Sequence, residues 1–205
     1  MSAGGPGWTF HFVANNPALE FADTVSGRGS PVPIERFPEF AAVVSWACQS
    51  GLIDEATART LSASAAADPA MARRAYRRAI RLRDLLYRVF AAIADAGPPA
   101  ERDVKELSRC LRRSLGHLAL IGGLPPYRLD WRPDPDMLEP VLGPVVKAAA
   151  ELLSSAEIDK VRKCGSPTCG WLFLDVSRNK RRRWCAMWAC GNRAKARRFY
   201  RRHAS

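Results

Sequence analysis

Four cysteines near the end of the chain constrain its fold more than any other feature. Four residues separate Cys164 from Cys169, four more separate Cys185 from Cys190, and fifteen divide the two pairs. Two close pairs joined by a hairpin-sized stretch can bring four thiolates to one point. That is the geometry of a closed, tetrahedral structural zinc site, with no coordination position left for chemistry. An iron–sulfur cluster also takes four thiolates, and disulfides would use the same residues. A hairpin between two short pairs fits a mononuclear ion better than a cluster. The opening residues, MSAGGPGWTFHFVANN, have neither the basic nor the apolar region of a secretory leader. A cytoplasmic location is therefore expected, where paired cysteines serve metals more often than disulfides. Cys48 and Cys110 stand alone in apolar helical patterns and read as small core residues.

The charge is as unevenly spread as the cysteines. The 205-residue chain carries a net charge of +12. From Lys160 onward it has 14 Lys and Arg against a single acid, Asp175, which leaves 18 bases and 19 acids before that point. The first three quarters are thus neutral, and the last 46 residues hold the whole excess. Solubility alone does not require such segregation, whereas a dedicated anionic partner for the tail does. No run of about 18 apolar residues exists, so no membrane span is expected.

Periodicity and punctuation give a mainly α (α+β) fold. A short strand is expected over Thr9–Val13, and a helix from about Pro17. Gly27 to Pro33 reads as a loop, followed by a helix over 36–50 closed by Gly51. Asp54 caps a helix over 55–66, and Asp68-Pro69 opens the longest helix, about 69–96. The many arginines of that helix read as a solvated face with interhelix ion pairs. A helix over 100–114, a hairpin of His117–Ile121 with Tyr127–Trp131, and a last helix over 137–154 capped by Asp136 complete this part. The expected division is a helical domain over 1–155, for sensing or dimerisation, and a small metal module over 156–205.

Within that module, Cys164 to Cys169 reads as a knuckle. Trp171–Asp175 is a strand by composition, and Arg181–Trp184 is its expected return strand. Cys190-Gly191-Asn192-Arg193 opens a helix to about Arg202. Knuckle, hairpin and helix-borne ligands make a treble-clef-like plan. About 45 residues cannot bury enough apolar surface to fold alone, and four thiolates on zinc supply the missing stability. On this view a Cys→Ser change unfolds the module and spares the N-terminal domain. Trp171, Phe173, Trp184, Met187, Trp188 and Phe199 read as a mini-core, with Ala196, Phe199 and Tyr200 turned toward the metal. Two basic patches are expected to contact nucleic acid. Arg178, Lys180, Arg181, Arg182 and Arg183 lie on the turn, while Arg193, Lys195, Arg197, Arg198, Arg201 and Arg202 lie on the helix.

At these residues the chain resembles the CGNR zinc-finger family. The match runs through Cys164, Cys169, Trp171-Leu172-Phe173-Leu174-Asp175, Ser177-Arg178, Arg182 to Met187, Cys190-Gly191-Asn192-Arg193 and Lys195. The upstream part resembles the ABATE domain that usually precedes this finger, whose early signature is roughly Leu-Asp-Phe-x-Asn-Thr. Here it stands as Leu19-Glu20-Phe21-Ala22-Asp23-Thr24, with two polar positions altered. The resemblance implies a bacterial transcription regulator that binds DNA through the finger.

The expected function is a zinc-dependent, DNA-binding regulator. RNA binding and zinc-stabilised docking on an acidic protein partner are the alternatives. A homodimer and a small-molecule effector of the N-terminal domain are compatible with the sequence. An enzyme is not expected. His11, His117 and His203 are isolated, and neither a phosphate-binding glycine loop nor a nucleophile motif is present.

Overall fold

The computed structural model describes residues 8–134 and 136–203, and of Arg202 and His203 the backbone only. Residues 1–7 of the lead-in and the Arg202 side chain lie outside it. About 54% of the chain is helical, and the strands form two-stranded antiparallel ribbons.

The chain runs α1 (Pro17–Ala22), β1 (Val25–Ser26), β2 (Ile34–Glu35), α2 (Phe40–Gln49), α3 (Glu55–Ala67), α4 (Pro69–Ala94) and α5 (Glu101–Leu115). Then come β3 (Leu118–Ile121), β4 (Arg128–Trp131), α6 (Glu139–Leu153), β5 (Val161–Lys163), β6 (Leu172–Leu174) and α7 (Asn192–His203). Local chemistry sets the helix starts. Asp54 accepts from the Thr57 amide at 2.7 Å, and Asp68 accepts from the amides of Ala70 and Met71, both at 2.9 Å. At α6 the capping acid is Asp134 rather than the expected Asp136. Its Oδ1 accepts from the amides of Leu138 at 2.7 Å and Glu139 at 3.2 Å, so the helix begins two residues later. Asp136 instead meets Arg74 at 3.2 Å.

The short helix α1 sits at the centre, packed on α4 and α6. Leu19 and Phe21 are fully buried, and Phe21 meets the rings of Trp46 and Phe37 at 5.0 and 5.6 Å between centroids. The expected strand over Thr9–Val13 does not form, because its amides find side chains instead of a partner strand. Phe10 donates to Gln49 Oε1 at 3.2 Å, and Val13 donates to Glu20 at 3.1 Å. A β-carbon on Gly143 would lie 2.3 Å from the Trp131 ring, so glycine is what lets the β3–β4 hairpin rest on α6.

The arginines of α4 hold the helices together. Arg88 grips Asp103 of α5 with both nitrogens, at 2.9 and 3.0 Å. Arg83 pairs with Glu35 at 2.5 Å, and Arg78 bridges buried Asp134 at 2.6 Å and buried Glu139. Cys48 and Cys110 are half-buried rather than fully in the core.

The C-terminal module is not a separate ball. The ribbon that carries its core is β5 with β6, Val161 facing Leu174 and Lys163 facing Leu172. Leu172, Phe173 and Leu174 are buried, and together with all four cysteines they belong to the same apolar cluster as α1, α4 and α6.

Candidate metal centre and cationic surface

The β5–β6 ribbon presents the first cysteine pair in its turn. Cys164 N donates to the Trp171 carbonyl at 2.7 Å, and Cys169 N donates to that of Ser166 at 3.0 Å. Arg181–Trp184 does not return as a strand. Lys180 adopts a left-handed backbone with φ of 47°, and residues 181–184 are held by the Asp175 carboxylate on the Arg182 amide and by a single backbone bond from the Gly165 amide to the Arg183 carbonyl at 2.9 Å, rather than by a ladder. Asp175 is buried and organises that turn. Its carboxylate accepts from the Ser177 amide at 3.0 Å, the Ser177 hydroxyl at 2.5 Å and the Arg182 amide at 3.0 Å. Burial alone would raise its pKa, but these bonds outweigh it and hold the carboxyl below its usual range.

Of the second cysteine pair, Cys185 lies just before a single wide helical turn over Met187–Gly191 that carries Cys190 and leads into α7. All four Sγ atoms are buried and lie within 4.8 Å of one another. Cys185 Sγ is 3.7 Å from that of Cys169 and 3.6 Å from that of Cys190. A disulfide needs about 2.05 Å. A tetrahedron with bonds of about 2.3 Å has edges of about 3.8 Å, so the spacing fits one ion held by four sulfurs. Protonation points the same way. Hydrogen bonds from Cys169 and Cys185 hold the Cys164 thiol down at about 2, and Cys169 is pushed up to about 12 by its bond to Cys164. Cys185 is raised further for the same reason. Four crowded thiols cannot all ionise unaided, and a divalent cation removes that conflict.

The Cys-Gly-Asn-Arg run has a direct physical account. Cys190 completes the four-sulfur cluster, and Gly191 is buried where a β-carbon would fall 2.7 Å from Met187 Sδ. Asn192 donates to the Trp188 carbonyl at 3.4 Å. Arg193 donates to Cys190 Sγ at 3.0 Å, which raises the arginine pKa.

The expected nucleic-acid residues divide into two groups. Arg182 is a structural clamp: it donates to the carbonyls of Val13 at 2.6 Å, Trp184 at 3.1 Å and Cys185, and lies 4.3 Å over the Phe173 ring. Arg193 is committed to sulfur. Arg183 lies over the Trp184 ring at 4.9 Å. Arg178, Lys180, Arg181, Lys195, Arg197, Arg198 and Arg201 are exposed. No base from residue 164 to 201 forms an ion pair among the described residues. The mini-core is smaller than expected. Phe173 is buried and Trp171 and Trp184 half-buried, but Met187, Trp188, Phe199 and Tyr200 are exposed, as is Ala196. The finger fills its core by borrowing from α1 and α4, so α7 need not turn its aromatics inward.

Sequence reasoning missed the role of the Leu19–Thr24 segment. Glu20 accepts from the amides of Val13, Ala14 and Asn15 at 3.1, 2.6 and 3.2 Å, which folds the lead-in over α1. Asp23 accepts the Leu172 amide of β6 at 2.9 Å. Around it, Tyr87 Oη donates to the Gly170 carbonyl at 2.9 Å, Trp171 Nε1 to that of Val25 at 2.9 Å, and Leu174 N to that of Ala14 at 2.8 Å. The segment thus pins the finger to the helices.

Complete burial pushes the Asp23 carboxyl well above its usual range, against the pull of the Leu172 amide. Between the ordinary carboxylate value of about 3.9 and that raised value, the folded chain keeps a proton the unfolded chain has released. Stability from this group therefore falls as pH rises through the window. Asp23→Ala strands the Leu172 amide and is expected to cost ~1–3 kcal/mol. Asp23→Asn keeps an acceptor and sheds the charge, so it should at least match the parent at neutral pH and lack this decline. Urea unfolding across pH reads both.

Fold and site together define a metal-binding regulatory protein, in which a four-cysteine finger is built into a helical body. Residues 15–156 match the family described as "Putative stress-induced transcription regulator", ABATE, and the chain belongs to that family. Residues 160–203 match the CGNR zinc finger. No curated protein matches the chain. Among the described residues, no helix is long and apolar enough to cross a membrane.

Proposed function

We propose that the protein is a DNA-binding transcription regulator whose finger, locked by zinc, presents a cationic surface to the phosphate backbone. Zinc is the ion that a closed shell of four thiolates at these separations suits best, and such a shell serves structure rather than catalysis. The observation that carries the reading is the run of exposed bases on the 178–181 turn and on α7, with no carboxylate paired to any of them among the described residues. Unpaired surface bases at this density repel one another, and a polyanion relieves that repulsion.

The test is the salt dependence of binding to a labelled duplex, followed by anisotropy. If about six phosphates are contacted, log K against log salt has a slope near −5. A flat response would remove the proposal.

One observation favours a second reading, an unstacked base in single-stranded nucleic acid. Trp188 and Met187 are exposed at 60% and 53%, in a groove of about 580 Å³ shared with Arg181, Arg183 and Trp184. Aromatic faces beside arginines stack bases. Competition between matched duplex DNA and single-stranded RNA decides between the two.

A further inference from the structure

A half-open cleft of about 860 Å³ runs between α4, α5 and α6 on the helical body. Its floor is apolar, formed by buried Leu82, Leu85, Leu142 and Val146. Seven arginines line it against three carboxylates. Five of the seven have acidic partners: Arg78 and Arg113 on Asp134, Arg88 on Asp103, Arg109 on Glu106 and Arg74 on Asp136. Arg77 and Arg81 do not, among the described residues. They stand one helical turn apart on α4, both exposed, with Arg81 Nε donating to the Arg77 carbonyl at 3.2 Å. Like charges at that spacing weaken a helix, so stability does not account for them.

The geometry points to an effector site in this cleft for an organic anion with an apolar body, such as a carboxylate, sulfonate or phosphate ester. Arg77 and Arg81 hold the anionic group, and the leucines and Val146 receive the body. The volume lies within the range of small-molecule sites, which form between helices with an apolar lining and a few convergent charges. Nucleic acid fits less well. A phosphate backbone has no use for a floor of buried leucines, and the cleft lies before Lys160, where the sequence carries no excess of base. Among the described residues no carboxylate pairs with either guanidinium, which leaves their charge for charge-assisted hydrogen bonds to a ligand.

The probe is anilinonaphthalene sulfonate, titrated into the full, metal-loaded chain and read by fluorescence. The expected result is saturable binding that decanoate reverses and decanol does not. The double variant Arg77→Ala/Arg81→Ala should bind about tenfold or more weakly, with its melting temperature and DNA affinity unchanged. Arg77→Lys/Arg81→Lys keeps the charge and should retain most of the binding. Equal displacement by decanol, or full affinity in the alanine pair, overturns the site. So does an alanine pair that keeps the probe and loses duplex DNA, because the cleft would then belong to the nucleic-acid path.

Discussion

Stripping the metal is expected to lower the melting temperature of the whole chain by about 20 °C or more, helices included. Structural zinc contributes on the order of 10 kcal/mol or more, and a chain of this size shifts by about 2–4 °C per kcal/mol. The sequence alone suggests that only the tail would fail. The structure leads to a different expectation, because β6 is part of the common core. Leu172 and Phe173 are fully buried, the Leu172 amide is held by Asp23 of α1's C-cap, and the Arg28 amide donates to the Cys169 carbonyl at 3.0 Å. If the cysteines separate, these contacts separate with them. Circular dichroism at the helical band, with and without a strong chelator, measures the effect, and Cys185→Ser should reproduce it. An unshifted helical transition after complete metal removal would show two independent units.

The second large effect concerns affinity. Alanine at Arg178, Lys180, Arg181, Arg197, Arg198 and Arg201 together should weaken duplex binding about 10³-fold or more near 0.1 M salt and reduce the salt slope by about 5. Each of these side chains is exposed and lacks a carboxylate partner among the described residues, so the melting temperature should hold. Arg182 and Arg193 are left in place because they brace the finger; Arg182→Ala should lower stability through its lost carbonyl bonds. A slope that stays steep in the sixfold variant would mean that the polyanion lies on another face.

Much of this was legible in the chain. Cysteine spacing located the metal centre, and short-range cap chemistry at Asp54 and Asp68 located α3 and α4. What escaped was set by tertiary geometry. Val161-Arg162-Lys163 carries two charges in three residues and does not look like a strand, yet the cysteine turn forces it against Leu172–Leu174. Val25–Ser26 and Ile34–Glu35 pair across a loop rich in glycine and proline, which masks so short a ribbon. Asp134 and Asp136 both precede α6, and the capping acid is the one that pairs with Arg78 across the helices, which no local pattern shows. The cleft escaped because its arginines come from two helices, and on each alone they read as a wetted face.

The shared core also sets the order in which the protein matures. A ribosome releases α1, α4 and α6 well before Leu172–Leu174, so the emerging helices wait with an open seam along α1 until the last segment arrives. Closing that seam requires the cysteines to gather. If a metal gathers them, its supply would set whether the whole molecule completes, and metal limitation would be expected to leave chains with that seam open to proteolysis.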